Sequence, residues 1–462
     1  MATKILESFM KEVESRKARV NGAVLIQGGR VIDEIYRGNY TADTKTRMYS
    51  TTKSVTAIAI GKLVGEGRVS LDDKVVDIFA DKFDPASAHP LLREQTVRHM
   101  LTMTTVYSKP TYTAAISDWL ASYFRAEPTH PAGTLWHYDS CGSYVLGAIV
   151  KHITGLDFVS YLRPELDIMG VSADAYCLEG PDGEAWVSSG FIATTADLAK
   201  LAYLLLNGGR WQGQQLIPEG YARDAISPLV NNADGASVMR FNCGYGYQIW
   251  SHPGGAFAFR GLGGQIAIGY PGRDLVFACI SDTSGHPNAY YEIFDSVEKT
   301  ILPEFPIINA EAHERMLPKP VSSNCFDEIK GKKYALGENP MGIDYIRFDG
   351  DGERISFSYT KGGETKSIDF VVGEERDFIF PEKYSGGRLF DKSGYMNYKC
   401  VSTAEWLEER KLFVKIWAED IYVGNMTMCF AFDKQGRVAV KMDKFAQFFF
   451  DEFAGVAWGK AE

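Results

Sequence analysis

The chain has 462 residues, of which 45% are hydrophobic and 23% charged, with a formal net charge of −10 and seven cysteines. These are ordinary globular values, which exclude a disordered or fibrous chain, and the length suits two domains. The acidic balance argues against non-specific binding to nucleic acid or anionic membranes. No apolar run approaches the roughly 18 residues of a membrane-spanning helix.

The opening MATKILESFMKEVESRKARV is charged and amphipathic. It predicts a helix over 4–18 and lacks the apolar core of a signal peptide. The cysteines lie far apart with no CxxC, so free thiols in a reducing cytoplasm are expected. GAVLIQGGRVIDEIYRGNY predicts a hairpin turning at Gly28 and Gly29. YSTTKSVTAIAIGKLVGEG, from Tyr49 to Gly67, predicts an apolar helix opened by Ser50. Helical segments such as DLAKLAYLLLNGG then alternate with loops. Strand-like stretches return in GYGYQIW, AFAFRGLGGQIAIGY and DLVFACISD, and AYYEIFDSVEKTIL closes the unit. Strands at both ends with helices between predict an α+β domain over 1–305 whose sheet joins the chain ends.

Pro303, Pro306, Pro318 and Pro320 mark a linker, placed at 306–320. Over 321–462 the texture changes to alternation, as in RISFSYT, KLFVKIW and NMTMCFAFDKQGRVAVKM. About eight half-buried antiparallel strands fit there, the size of a small closed β-barrel or sandwich.

Ser-x-x-Lys occurs four times, at Ser8, Ser50, Ser296 and Ser358. Ser358 falls in an alternating strand, where positions three apart face opposite sides. Ser8 and Ser296 fall in charged helical stretches expected to be exposed. Only Ser50 stands where a turn meets an apolar helix, and there Lys53 shares its face. An amine held against a serine hydroxyl is one of the few ways to make serine a nucleophile. Helix-start N–H groups and the macrodipole favour negative charge at that end. Burial would favour a neutral amine able to take a proton. The plainer alternative is Ser50 as a simple helix N-cap.

A second element is GTLWHYDSCGSYVLGAIVKHITG, where Tyr138 and Ser140 precede an apolar helix. A tyrosine beside a lysine can shuttle a proton to a leaving group; the alternative is a core tyrosine with one satisfied hydroxyl. His137 is the rival base, although the chain has no GxSxG elbow. A third element is FAFRGLGGQIAIGY, where Gly261, Gly263 and Gly264 interrupt a strand. A backbone N–H there could join that of Ser50 in an oxyanion hole, or the glycines could mark a bulge packed on a helix.

Taken in order, YSTTKSVTAIAIGKLVGEGRVSLDDKV, TVRHMLTMTT, WHYDSCGSYVLGAIVKHITG, SSGFIATTADLAKLAYLLLNGGRW and GLGGQIAIGYPGRDLV resemble the serine β-lactamase and penicillin-binding-protein superfamily. The resemblance covers roughly 5–305. It points to the class C-like branch, with its esterases, D-amino-acid amidases and 6-aminohexanoate-dimer hydrolases. It implies Ser50 as acylated nucleophile, Lys53 as base, Tyr138 as proton shuttle and the Leu262 N–H as second oxyanion donor. Ser140 stands where the family usually has Asn. The family's Lys- or His-x-Gly reads Phe259-Arg260-Gly261, with Arg260 one residue along and so on the other face of a regular strand. Loss of that cation removes a charge-assisted contact worth about 1.5–3 kcal/mol. That disfavours β-lactams and peptidoglycan stems and favours a neutral or differently charged ester or amide.

The C-terminal part resembles, more weakly, an appended lipocalin-like β-barrel, through GKKYALGENPMGIDYIRF and AEWLEERKLFVKIW. Such a barrel could cover the site, build a homo-oligomer, bind an apolar ligand or simply add stability. There is no P-loop, dinucleotide fingerprint, HExxH or EF-hand loop, and His89, His99, His130 and His152 are scattered, so no metal and no cofactor is expected. The expected activity is hydrolysis of a small ester or amide through an acyl-enzyme on Ser50, with loops 105–135 and 228–242 shaping the acyl pocket. The alternatives are a β-lactamase or D,D-peptidase, and a catalytically silent binding or scaffold protein.

Overall fold

The computed structural model describes residues 5–235, 243–286, 288–314, 323–383, 398–420, 423–446 and 453–462. The amphipathic opening is helix α1 (Ile5–Ser15), with Leu6, Phe9, Met10 and Val13 buried. The first hairpin pairs β1 (Arg19–Gln27) with β2 (Arg30–Tyr36). Gly28 and Gly29 turn it at φ 57° and 72°, the left-handed region that a two-residue hairpin turn requires.

Strands β3 (Trp250–Ser251), β4 (Phe257–Gly261), β5 (Gln265–Tyr270) and β6 (Leu275–Asp282) complete a six-stranded antiparallel sheet in the order β2-β1-β6-β5-β4-β3. Arg19 lies opposite Asp282 and Gln27 opposite Leu275, so the two ends of this unit are joined as the alternation implied. One face is covered by α1 and α5 (Ala289–Thr300), which pack on Ala258, Ile266, Ile268 and Phe277. The other face meets α2 (Thr51–Gly65) and α4 (Thr195–Leu206) through Phe257, Phe259, Ala267 and Ala278. Burial on both faces explains why these strands read as nearly unbroken apolar runs. The stretch 244–250, expected as a strand, enters the sheet only at Trp250, because Gln248 turns the chain at φ 59°.

The C-terminal part is a nearly closed antiparallel barrel. Its ten strands are β7 (Lys333–Leu336), β8 (Ile343–Gly350), β9 (Arg354–Lys361), β10 (Glu364–Val371), β11 (Arg376–Ile379), β12 (Lys399–Glu408), β13 (Lys411–Glu419), β14 (Val423–Phe432), β15 (Arg437–Ala446) and β16 (Gly455–Ala461). Their order is β10-β9-β8-β7-β16-β15-β14-β13-β12-β11. A bridge between Val372 and Ala404 brings the two edges together. The two strands beyond the expected eight include β7 and β11, which at four residues each are too short to show a clear alternation. Aromatic rings fill the interior: Phe430 lies 5.0 Å from Phe348 and 4.8 Å from Phe357, and Phe380 lies 5.4 Å from Phe453.

Within the segment read as a linker, Ala310–His313 form a helical turn that packs on Pro271–Arg273. Pro318 and Pro320 lie outside the described residues. The barrel's outer wall docks on the first unit: Leu407, Phe413, Cys429, Ala431 and Ala439 pack against Leu135 and Ala233. Arg437 forks onto Glu94 at 2.9 and 2.7 Å. Lys441 Nζ donates to the Asp234 carbonyl at 2.6 Å. Buried Lys411 lies 3.8 Å from the Asp234 carboxylate.

Candidate active site

Helix α2 is buried from Thr51 through Gly61, so its first turn is held rigidly against the sheet. Tyr49 enters at φ 47°, an uncommon conformation for a non-glycine residue. Ser50 follows at the N-cap position with φ −67° and ψ −9°, and its side chain makes no capping hydrogen bond. The simple N-cap reading therefore fails, and the hydroxyl is free for another partner. That partner is Lys53, one turn on and 2% exposed, whose Nζ lies 3.2 Å from Ser50 Oγ. The amine also donates to the Ser188 carbonyl at 2.6 Å and lies 5.0 Å from the centre of the Tyr138 ring. Among the described residues no carboxylate forms an ion pair with Lys53, so none competes with Ser50 for the amine.

The three other Ser-x-x-Lys pairs build nothing comparable. Ser8 is exposed on α1, and Ser358 and Lys361 lie on β9. Ser296, expected to be exposed, is buried on α5, and its hydroxyl donates to the Glu292 carbonyl at 2.6 Å.

Helix α3 (Ser140–Thr154) sets Tyr138 two residues before its first turn. Asp139 is the N-cap: Oδ1 accepts the Cys141 and Gly142 N–H groups, each at 2.9 Å, and Oδ2 accepts Thr105 Oγ1 at 2.8 Å. Burial pushes this carboxyl above its usual range, against the pull of those donors. Ser140 is the first helical residue and is half-buried. The Tyr138 ring stacks on Trp250 at 5.6 Å.

Gln248 ties these pieces together. Its backbone carbonyl accepts Ser54 Oγ of α2 at 2.8 Å, its Oε1 accepts Ser143 Oγ of α3 at 2.7 Å, and its Nε2 donates to the Met100 carbonyl at 2.7 Å. Ser188 is held in turn between the two helices. Thr56 Oγ1 of α2 donates to the neighbouring Val187 carbonyl at 3.2 Å. On α3, a Cβ at Gly147 would lie 2.5 Å from a Val187 methyl, so only glycine allows that approach.

The glycine-interrupted strand is a tight hairpin rather than a bulge. β4 ends at Gly261, and Leu262, Gly263 and Gly264 turn into β5, the two glycines at φ 79° and 80°. A Cβ at Gly261 would lie 2.6 Å from the Met48 carbonyl, so glycine lets the hairpin tip sit beside residues 48–49. Among the described residues neither the Ser50 nor the Leu262 backbone N–H donates to a backbone acceptor, the condition an oxyanion hole requires. Leu262 is 74% exposed and lines a cavity of about 720 Å³ together with Tyr49 and Arg47.

The two neighbouring candidates lie elsewhere. Phe259 is fully buried against the α2 side of the sheet. Arg260 takes the opposite face, 4.8 Å from the Trp250 ring and 4.7 Å from that of Tyr290, with Nε donating to the Tyr290 hydroxyl at 3.1 Å. The period of two thus holds through the glycines. Loop 105–135 brings Tyr112 to a side-chain hydrogen bond with Ser188, whose carbonyl holds Lys53, and Tyr112 stacks on Trp119 at 4.2 Å. Of loop 228–242, residues 236–242 lie outside the described residues.

His137 faces the barrel instead of Ser50. Burial, then the charge of Lys441, lowers its pKa to about 4. Burial likewise holds His99 at about 4 and His130 at about 3. The unfolded chain takes up these protons near 6.5 and the folded chain does not, so stability falls as pH drops from about 6.5 towards 4. Thermal midpoints at pH 7.5 and 5 should show this fall, and His130→Gln should make it shallower. An unchanged slope in that variant would remove His130 from the effect.

Sequence reasoning missed Ser188, Gln248, Trp250 and Arg47, which act through contacts distant in the chain. Asp139 was findable, being an aspartate immediately before an apolar helix.

The sheet flanked by helices thus brings Ser50, Lys53 and the Tyr138 ring together at the start of α2. The Beta-lactamase family model matches residues 3–294, and the chain belongs to that family. A 6-aminohexanoate-dimer hydrolase of Paenarthrobacter ureafaciens is 24% identical over 226 residues, 44% of this chain and 56% of its own length. A penicillin-binding protein homologue from Caulobacter crescentus superposes with TM-score 0.53 at 19% identity, covering 65% of this chain and 99% of its own. The structure of SurE with D-Leu superposes over 98% of both chains, with TM-score 0.56 at 16% identity. These likenesses between structures concern the fold, and the last of them spans both the sheet-and-helix unit and the barrel.

Proposed function

We propose that this protein hydrolyses a small linear amide or ester through a covalent acyl-enzyme on Ser50. The observation that carries the reading is the buried Lys53 amine 3.2 Å from a serine hydroxyl that caps nothing. Lys53, with Tyr138 beside it, takes the Ser50 proton as Oγ attacks the carbonyl carbon. The Ser50 and Leu262 N–H groups hold the oxyanion, while the Lys53–Tyr138 pair returns the proton to the leaving group. Water, activated by the same pair, then releases the acid. An amide substrate is supported by the name of the Paenarthrobacter ureafaciens relative. A β-lactam is disfavoured because buried Phe259 stands where a carboxylate-binding cation is usual. A reducing cytoplasm suits seven unpaired thiols.

A fluorophosphonate probe should add its mass to the peptide carrying Ser50, and Ser50→Ala should lose the adduct. A short p-nitrophenyl ester should turn over while nitrocefin does not. Rapid nitrocefin hydrolysis would replace the reading with a β-lactamase. Failure of several serine-directed probes to label the wild-type chain would leave a binding or scaffold protein.

A further inference from the structure

The cavity lined by Tyr49 and Leu262 holds a guanidinium, that of Arg47, which makes no ion pair among the described residues. Arg47 sits on a two-residue strand, Thr46–Arg47, three residues before the nucleophile. Its Nε donates to the Ser189 carbonyl at 3.0 Å and its Nη2 to Ser189 Oγ at 2.8 Å. Its plane lies over two rings, 4.5 Å from the centre of Tyr49 and 4.2 Å from that of Trp186. These contacts fix its orientation, yet none is ionic: among the described residues Arg47 has no acidic partner. A half-buried guanidinium with two neutral acceptors and two aromatic faces retains donors for a planar anion.

The surroundings suit such an anion. The cavity of about 720 Å³ is lined by Arg47, by Tyr49 next to Ser50 in the chain, by Leu262 at the hairpin tip and by Arg19. Arg19 donates through Nε to Asn21 Oδ1 at 3.1 Å and makes no ion pair shorter than 4 Å among the described residues. The acid on the same wall, Asp282, accepts the Ser284 N–H at 2.9 Å and is offset by Arg19. Two arginines against one carboxylate leave the cavity with one surplus positive charge. Tyr49, Leu262 and Ile280 add apolar surface to the same lining, suited to a short methylene chain.

We propose that this cavity binds a carboxylate carried by the substrate, separated from the scissile carbonyl by a short apolar spacer and gripped by Arg47 with help from Arg19. The assignment of the bound molecule as substrate rests on the hydrolase reading above. The site differs from the family's usual cation on the sheet edge, here Phe259. It therefore selects linear carboxylates whose charge lies away from the position that a β-lactam carboxylate occupies.

The test compares mono-p-nitrophenyl succinate, glutarate and adipate with the neutral p-nitrophenyl butyrate and hexanoate. The wild-type chain should prefer at least one carboxylated ester, mainly through KM, by roughly tenfold to a hundredfold, the range expected of a charge-assisted contact. Arg47→Met should collapse that ratio towards one and Arg47→Lys should restore part of it. Arg19→Gln, on the open wall, should lower the ratio severalfold, and this variant covers the case in which Arg47→Met fails to fold. Absence of a preference in the wild type, or a ratio unmoved by Arg19→Gln and Arg47→Lys, overturns the proposal. Binding is read separately by titrating Ser50→Ala with monomethyl adipate and with the uncharged dimethyl adipate. Equal binding of the two overturns the carboxylate site. Selective binding of the monoester alongside a wild-type Ser50 that no probe labels retires the hydrolase reading and leaves the anion site standing.

Discussion

Lys53→Met is expected to lower acylation of Ser50 by about 10³- to 10⁶-fold, the range over which bases paired with a nucleophile contribute, while leaving the fold intact. The amine is 2% exposed and its polar neighbours are one hydroxyl and one carbonyl. Methionine fills nearly the same volume and removes a polar group that is costly to bury, so the variant should be as stable as the parent or more so. Lys53→Arg should not rescue the rate, because guanidinium stays protonated and cannot accept the Ser50 proton. The readouts are the p-nitrophenol burst, the intact mass of the acylated chain and the thermal midpoint. Burst kinetics close to wild type in either variant would remove Lys53 from the chemistry.

Lys411→Met is expected to cost about 3–5 kcal/mol of stability, the range for breaking a buried ion pair from one side, and to slow turnover as well. Lys411 and Asp234 have side chains 4% and 0% exposed. Asp234 and Glu408 hold the Lys411 pKa above its ordinary value in spite of burial. Asp234 Oδ2 also accepts the backbone N–H of Trp136 at 2.8 Å, and Glu408 Oε1 accepts that of Asn231 at 2.8 Å. Trp136 meets Trp250 at 5.5 Å, the ring on which Tyr138 stacks. The barrel thus grips the segment that carries the proposed proton shuttle. Replacing both partners, as Asp234→Asn with Lys411→Met, should recover part of the loss, since the fully buried Asp234 charge goes with its partner and only the part-exposed Glu408 remains charged. Denaturant titration of the two single variants and the double variant measures the coupling. A single-variant cost below about 1 kcal/mol would show that apolar docking, and not this pair, holds the barrel in place.

What could be read from the residues in order was whatever depends on local spacing. Ser50 and Lys53 share a helical face at three residues apart. Gly28 and Gly29 announce a turn, the alternation in RISFSYT and KLFVKIW announces barrel strands, and a period of two places Arg260 opposite Phe259. Each of these follows from backbone geometry within a few residues, which tertiary contacts did not override. What the folded chain alone decided were pairings between distant segments: the Ser188 carbonyl on Lys53 across 135 residues, Gln248 bridging two helices, Asp234 facing Lys411, and Arg47 with no acid beside it among the described residues. Ser296 belongs with them, since whether a charged helix buries one hydroxyl depends on what packs against it. Periodicity reports which way a side chain points, but the identity of the group it meets is set only when the sheet closes and the barrel docks.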